Sequence, residues 1–138
     1  VIGGAFIAGD TGVPLSNRMQ AFDLDPVSPN VLAGGKRPRT TLSPTIVCKD
    51  GKPFLALSTP GGDSQDQQVL NVLLNVIIFN QELQVAIEGP RINTNHPHSS
   101  FDNHPSAPGQ LDLESRIAVA VQDELRARGH VLRALTPP

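Results

Sequence analysis

The hydrophobic pattern changes period at about residue 60. Before it, Thr45-Ile46-Val47-Cys48 and Phe54-Leu55-Ala56-Leu57-Ser58 are short β-branched or apolar runs on either side of Lys49-Asp50-Gly51-Lys52. Asp-Gly suits a tight two-residue turn, so this stretch predicts a β-hairpin with Cys48 in its core. After Pro60-Gly61-Gly62, apolar residues crowd positions 69–79, and Gln67, Asn71 and Asn75 recur four apart. That period predicts a helix from about Ser64 to Phe79, largely buried, with one solvated polar edge. Ser64 and Gln67 have capping-box spacing, and Asp63 places a negative charge where the helix dipole favours one. A short helix is expected over Gln81–Glu88, capped by Asn80. An amphipathic helix is expected over Arg116–Arg128, stopped by Gly129, and then a strand over His130–Ala134. At the front, Gly4–Ile7 and Val13–Leu15 read as strands around an Ala8–Gly12 turn, and Asp23–Gly35 as a Pro/Asn/Gly loop.

Composition narrows the class. At 138 residues the chain is one domain or less, long enough to bury a core, with five Phe and no Trp or Tyr. Thirteen Pro and twelve Gly alternate with strongly apolar runs, the mark of long ordered loops. A net charge of −2 gives no nucleic-acid footprint. Lys36, Arg37 and Arg39 form the one basic cluster, open to two readings: a solvated loop or an anion-attracting one. Val69–Phe79 is too short to span a bilayer, so no membrane contact is expected. No signal peptide is legible, and the compartment stays open between cytoplasm and periplasm. The single cysteine excludes an internal disulfide. His96, His98 and His104 suggest zinc, but Pro97 and Pro105 interrupt the stretch and no matching Cys or Glu pair accompanies it. No metal and no cofactor is expected. The 94–109 connection is long for a structureless link, which points to a functional or mobile loop near a substrate mouth.

Two features carry chemistry. Thr40 and Thr41 set adjacent hydroxyls on the approach to the hairpin. Gly61 and Gly62 open the long helix with backbone N–H groups that no Cβ shields, a site for a developing oxyanion. On the local pattern alone, the glycines need do no more than turn a tight corner.

Lys36-Arg37-Pro38-x-Thr40-Thr41-x-Ser43-Pro44-Thr45-Ile46-Val47, Lys49-Asp50-Gly51-Lys52, Pro60-Gly61-Gly62 and Ala86-x-x-x-Pro90-Arg91 together resemble the small subunit of the γ-glutamyltransferase family. The match runs from Gly3 to about Val131. Pro108-Gly109-x-Leu111-x-Leu113-Glu114-x-Arg116-Ile117 is more similar to the amidase-like branch than to the transpeptidases. The resemblance implies an α/β fold, part of the α/β/β/α sandwich of N-terminal-nucleophile hydrolases, truncated at both ends, with residues 1–138 a single partial domain. It implies a precursor that cleaves itself, belongs to glutathione metabolism, and attacks an amide with a new N-terminal threonine. That threonine lies outside this chain: Val1 is no nucleophile, and Thr11, Thr40, Thr41, Thr45, Thr59, Thr94 and Thr136 are all internal.

Carried onto this sequence, the resemblance assigns a substrate carboxylate to Thr40 and Thr41 and the oxyanion to Gly61 and Gly62. The family's ammonium-binding Gln and Asp fall at Arg18 and Ala21 within Asn17-Arg18-Met19-Gln20-Ala21-Phe22. A site that exchanges a carboxylate for a guanidinium repels an ammonium and attracts an anion, so a donor without an α-amino group is expected. The implied partners are a small amide substrate and the remaining segments or large subunit of the same precursor; self-association through exposed sheet edges is expected too. The alternatives are a non-catalytic carboxylate-binding relative and an inert structural fragment. By this reading the 138 residues alone are inactive.

Overall fold

Asp50 and Gly51 take φ of 52° and 73°, the two left-handed positions that an Asp-Gly hairpin requires. They join β1 (Thr45–Lys49) to β2 (Lys52–Leu57) in antiparallel register, Val47 opposite Leu55, with a shift between Val47 and Cys48. The computed structural model describes residues 5–135, and these fall into two compact units. The strand predicted from Gly4 begins outside the described residues, where Val1, Gly3 and Thr136 also lie.

The first unit runs to Thr40 and takes in Ser100–His104. Its opening segment doubles back: Ala8 N–H donates to Val13 O and Leu15 N–H to Phe6 O, both at 2.9 Å, and Ile7 bridges Pro14. Gly9 and Gly12 supply the positive φ that closes this turn. A 3₁₀ turn, Arg18–Ala21, follows. The loop after it is tied down locally. Asp23 exchanges backbone hydrogen bonds with Asn30 and Leu32, and Asn30 Nδ2 donates to Ala21 O at 2.5 Å. Lys36 Nζ donates to Pro29 O and Val31 O. Ala21 and Phe22 are the buried apolar residues of this unit.

The second unit comprises Thr41–Ser99 and the chain from Pro105 onward. It holds the hairpin, α1 (Gln65–Ile77), α2 (Leu83–Glu88), β3 (Ile92–Thr94), β4 (Gln110–Glu114), α3 (Val119–Ala127) and β5 (Val131–Leu135). The order of the second sheet is β3-β4-β5: β3 is antiparallel to β4, and β4 is parallel to β5 across the α3 crossover. Gly129, at φ 96°, ends α3 where predicted. Neither β3 nor β4 was expected.

The helices depart from expectation in three ways. Ser64 and Gln67 form no capping box. Ser64 Oγ donates to Gly61 O, while both ends of the Gln67 amide pair with the backbone of Thr94, Nε2 to O at 3.1 Å and Thr94 N–H to Oε1 at 2.7 Å. Asn71 Nδ2 reaches Ile92 O at 3.2 Å and Asn75 Nδ2 reaches Ala86 O at 3.4 Å. The polar stripe is therefore not a solvated edge; it pairs with β3 and α2. Second, the helix is only partly buried: Val69 is buried and Val72, Leu73 and Val76 are half-buried, but Leu70, Leu74 and Ile77 are 52, 42 and 48 % exposed. Third, Asn80 does not cap α2. It takes φ 49° beyond the end of α1, and Glu82 caps α2 by accepting from Gln84 and Val85 N–H. Cys48 is exposed, not core, because a two-stranded hairpin presents alternate residues to solvent.

Candidate functional site

The turn before α1 is built from one unusual backbone conformation and three side chains. Gly61 has φ 141° and ψ 18°, and a Cβ there would lie 2.8 Å from Ser64 Oγ and 3.2 Å from Gln68 Nε2. Only glycine fits. Ser64 Oγ donates to Gly61 O at 2.8 Å and accepts from Gln68 Nε2 at 2.7 Å, while Thr59 Oγ1 donates to Pro60 O at 3.1 Å. Gly62, at φ 58°, starts a 3₁₀ turn that runs into α1. The first N–H groups of a helix lack intrahelical acceptors, and the macrodipole adds partial positive charge. Asp63 in this turn opposes an anion, and its Oδ2 accepts from Ser99 Oγ at 3.3 Å.

Gln65 links this turn to the threonine pair. It is buried, and with its amide nitrogen facing the two carbonyls beside it, that nitrogen lies 3.0 Å from Thr41 O and 3.1 Å from Thr59 O. Thr41 is itself buried at 8 % exposure, whereas Thr40 is exposed. The two hydroxyls thus have different surroundings: Thr41 is anchored in the second unit beside the glycine turn's supports, and Thr40 ends the first. Gln65 was missed in the sequence; one polar residue at the start of a helix carries no sign that it will be buried.

Arg18 and Ala21 lie at opposite ends of the 3₁₀ turn of the first unit. Ala21 is buried, at 1 % exposure. The Arg18 guanidinium carbon sits 5.7 Å from the centre of the Phe101 ring, and the backbone N–H of Arg18 donates to Ser16 Oγ at 3.2 Å.

β4 carries two buried carboxylates that the sequence did not flag. Asp112 and Glu114 are two apart and so share a face of the strand, at 2 and 4 % exposure. Burial pushes both carboxyls up, but hydrogen bonds from Arg133, Gln110 and Asn95 to Asp112, and from Arg116 and Arg91 to Glu114, outweigh it. Both stay below their ordinary range. Arg91 Nε is 3.1 Å from Glu114 Oε1, and Arg116 also donates to Glu88 O at 2.8 Å. Carboxylates paired in this way hold a sheet together, and their lowered affinity for protons suits that role better than proton transfer. A cavity of about 240 Å³ lies beside Glu114, lined also by Leu113, Gln122, Arg126 and Leu132.

The histidines are placed separately. His96 Nδ1 accepts from Gly109 N–H at 3.0 Å, and His104 Nε2 lies 3.2 Å from both Phe22 O and Asp23 Oδ1. Among the described residues, no group of three or more His, Cys, Asp or Glu side chains is placed to hold a metal ion, and no helix is long and apolar enough to cross a membrane.

Comparison with known proteins adds three findings. The family model for gamma-glutamyltranspeptidase matches residues 1–137. Among curated relatives, the glutathione hydrolase proenzyme of Escherichia coli K12 is 33 % identical over 137 residues, 92 % of this chain and 22 % of its own. The oxamate amidohydrolase proenzyme of Klebsiella pneumoniae is 31 % identical over 133 residues, 96 % of this chain and 24 % of its own. A solved structure of a mutant Helicobacter pylori gamma-glutamyltranspeptidase superposes with a TM-score of 0.75 at 29 % identity, covering 98 % of this chain and 73 % of that one. The chain spans about a fifth of the length of the curated relatives it matches.

Proposed function

Because the chain belongs to the gamma-glutamyltranspeptidase family, we propose that it is the oxyanion- and carboxylate-binding part of a larger amide-cleaving N-terminal-nucleophile enzyme. The α/β arrangement is that of a piece of the N-terminal-nucleophile hydrolase fold. The observation that carries the functional reading is the turn at Gly61 and Gly62. It is a conformation open only to glycine, braced by Ser64 and Gln68, at the positive end of α1. In this reading a threonine hydroxyl from outside these 138 residues attacks an amide carbonyl. The glycine N–H groups stabilise the oxyanion of the tetrahedral intermediate, the amine leaves with a proton, and water or a second amine takes the acyl group from the threonine.

Thr40 and Thr41 bind a carboxylate of the donor, and Arg18, where an ammonium-binding site would need an acid, turns away an α-ammonium. Ala21 supports this: a small apolar side chain, 1 % exposed, has replaced any counter-charge. The acyl donor therefore lacks an α-amino group, as a dicarboxylic half-amide does. The oxamate amidohydrolase relative, whose name describes a small carboxylate-bearing amide, fits this reading. The remaining segments of the precursor are the partner.

The test is a donor comparison in the full-length protein. A glutaryl anilide is expected to exceed its γ-glutamyl counterpart in kcat/KM by on the order of a hundredfold. Replacing Arg18→Gln together with Ala21→Asp is expected to move the ratio toward the γ-glutamyl donor. A wild type that prefers the γ-glutamyl anilide, with no shift in the double variant, would overturn the reading. The isolated 138-residue polypeptide is expected to show no turnover of either donor.

A further inference from the structure

The two N–H groups assigned to the oxyanion are aimed from behind. A trans peptide unit is planar, with C=O and N–H pointing opposite ways, so whatever grips the carbonyl directs the N–H. The Gly62 N–H shares its plane with Gly61 O, which accepts from Ser64 Oγ at 2.8 Å and from Ser64 N–H at 3.1 Å. The Gly61 N–H shares its plane with Pro60 O, which accepts from Thr59 Oγ1 at 3.1 Å. Both glycine N–H groups bond no other group among the described residues. The second plane needs an anchor beyond Thr59, because a neighbour's hydroxyl moves with the same loop. Pro60 supplies the coupling. Its ring fixes its own φ and restricts Thr59 to extended backbone. A single soft torsion, Pro60 ψ, therefore separates the plane of the Gly61 N–H from the plane that carries Thr59 O.

Gln65 holds that last carbonyl. It is buried, and its amide nitrogen lies 3.1 Å from Thr59 O and 3.0 Å from Thr41 O. One nitrogen, with both its protons used, thus spans the chain leaving β2 and the chain approaching β1. We propose that Gln65 is a positioning residue for the proposed reaction: it hangs the Thr59–Pro60 segment from Thr41 O and so aims the Gly61 N–H at the developing oxyanion. This rests on the assignment of the glycine pair to the oxyanion. Gln65 acts through the Thr59 carbonyl and not on the donor itself. Without its nitrogen the Thr59–Pro60 segment swings, and the N–H one torsion away leaves its aim. The oxyanion exists only in the course of the reaction, so the rate falls while binding of the donor holds.

The test is a double-mutant cycle in the full-length, processed protein with a glutaryl anilide as donor. Gln65→Met keeps the length of the side chain and removes both N–H donors. It is expected to lower kcat about 10- to 100-fold with KM unchanged, as a displacement of about 1 Å at a catalytic group does. Gly61→Ala is expected to lower kcat by ~10²-fold. The double variant is expected to fall no more than about threefold below Gly61→Ala alone, since both changes act on one N–H. Should Gln65→Met fail to fold, Gln65→Glu, which keeps the size and replaces the donating nitrogen by oxygen, is expected to give the same cycle. Losses that multiply in the double variant would overturn the role. So would a raised KM with unchanged kcat, which would assign Gln65 to donor binding instead. If Gly61→Ala lowers kcat and Gln65→Met does not, Gln65 only packs and the oxyanion site stands. If Gly61→Ala leaves kcat unchanged, the oxyanion assignment falls and this role with it.

Discussion

Two stripes of α1 meet different surroundings. Its amides, Gln67, Asn71 and Asn75, are engaged by the backbone of β3 and α2, while Leu70, Leu74 and Ile77 face outward. Periodicity tells that a segment is an amphipathic helix, but the interior side depends on what it packs against. β3 is an edge strand of its sheet, and side-chain amides can pair with its outer backbone groups where leucines cannot. The outward leucines fit a chain that spans about a fifth of the length of its curated relatives. In the proposed enzyme, they face the other segments of the precursor.

The largest effect should come from the polar face. Gln67→Met removes a donor and an acceptor that Thr94 uses together and is expected to cost about 2–3 kcal/mol, because two backbone groups lose their partners. Urea unfolding of the full-length protein measures it, and a loss within experimental error would mean that water replaces the amide freely. Next comes the N-terminus of the same helix. Gly61→Ala brings a Cβ to 2.8 Å from Ser64 Oγ at φ 141°, a strain of about 1–3 kcal/mol. In the proposed enzyme it should also lower kcat by ~10²-fold, as loss of an oxyanion donor does. Unchanged turnover with lowered stability would limit Gly61 to a corner.

Acid should act on the sheet that the polar face holds. Asp112 and Glu114 titrate below their ordinary values of 3.8 and 4.5, so the folded chain binds fewer protons than the unfolded one in that range. Their stabilisation is complete above those values and lost as the pH falls through the depressed ones. Denaturation midpoints followed from neutral pH downward should stay flat and then drop, and Asp112→Asn should lessen the drop. A midpoint that falls equally in wild type and variant would deny Asp112 this role. The smallest effect on folding belongs to the apolar face. Leu70→Gln should change the stability of the isolated 138-residue polypeptide by no more than about 0.5 kcal/mol. It should nonetheless reduce self-association in light scattering, since exposed apolar stripes draw copies together. A monomeric wild type at high concentration would argue that this face is inert.

The same contrast explains what could be read from the sequence. Asp50-Gly51 and Gly129 announced a turn and a helix end because each relies on local backbone geometry. The glycine pair, the threonines and Arg18 were singled out through the family resemblance, and the structure adds Ser64 and Gln68 around Gly61 and Gln65 beside Thr41, which depend on burial that no local pattern encodes. β4 escaped notice because Gln110-Leu111-Asp112-Leu113-Glu114 alternates like a strand with a wet face, yet arginines from residues 91, 116 and 133 close that face. Asn80 looked like a cap because asparagine also serves in left-handed positions, and that is the role it takes.

Cys48 is the only cysteine in the sequence, and it lies exposed beside the register shift of β1. It therefore acts as a built-in chemical clock for assembly. A thiol reagent reaches the open hairpin directly, and at fixed pH any segment that covers this strand slows the modification in proportion to the time it stays docked. The chain carries its own single-site reporter of whatever docks over this strand.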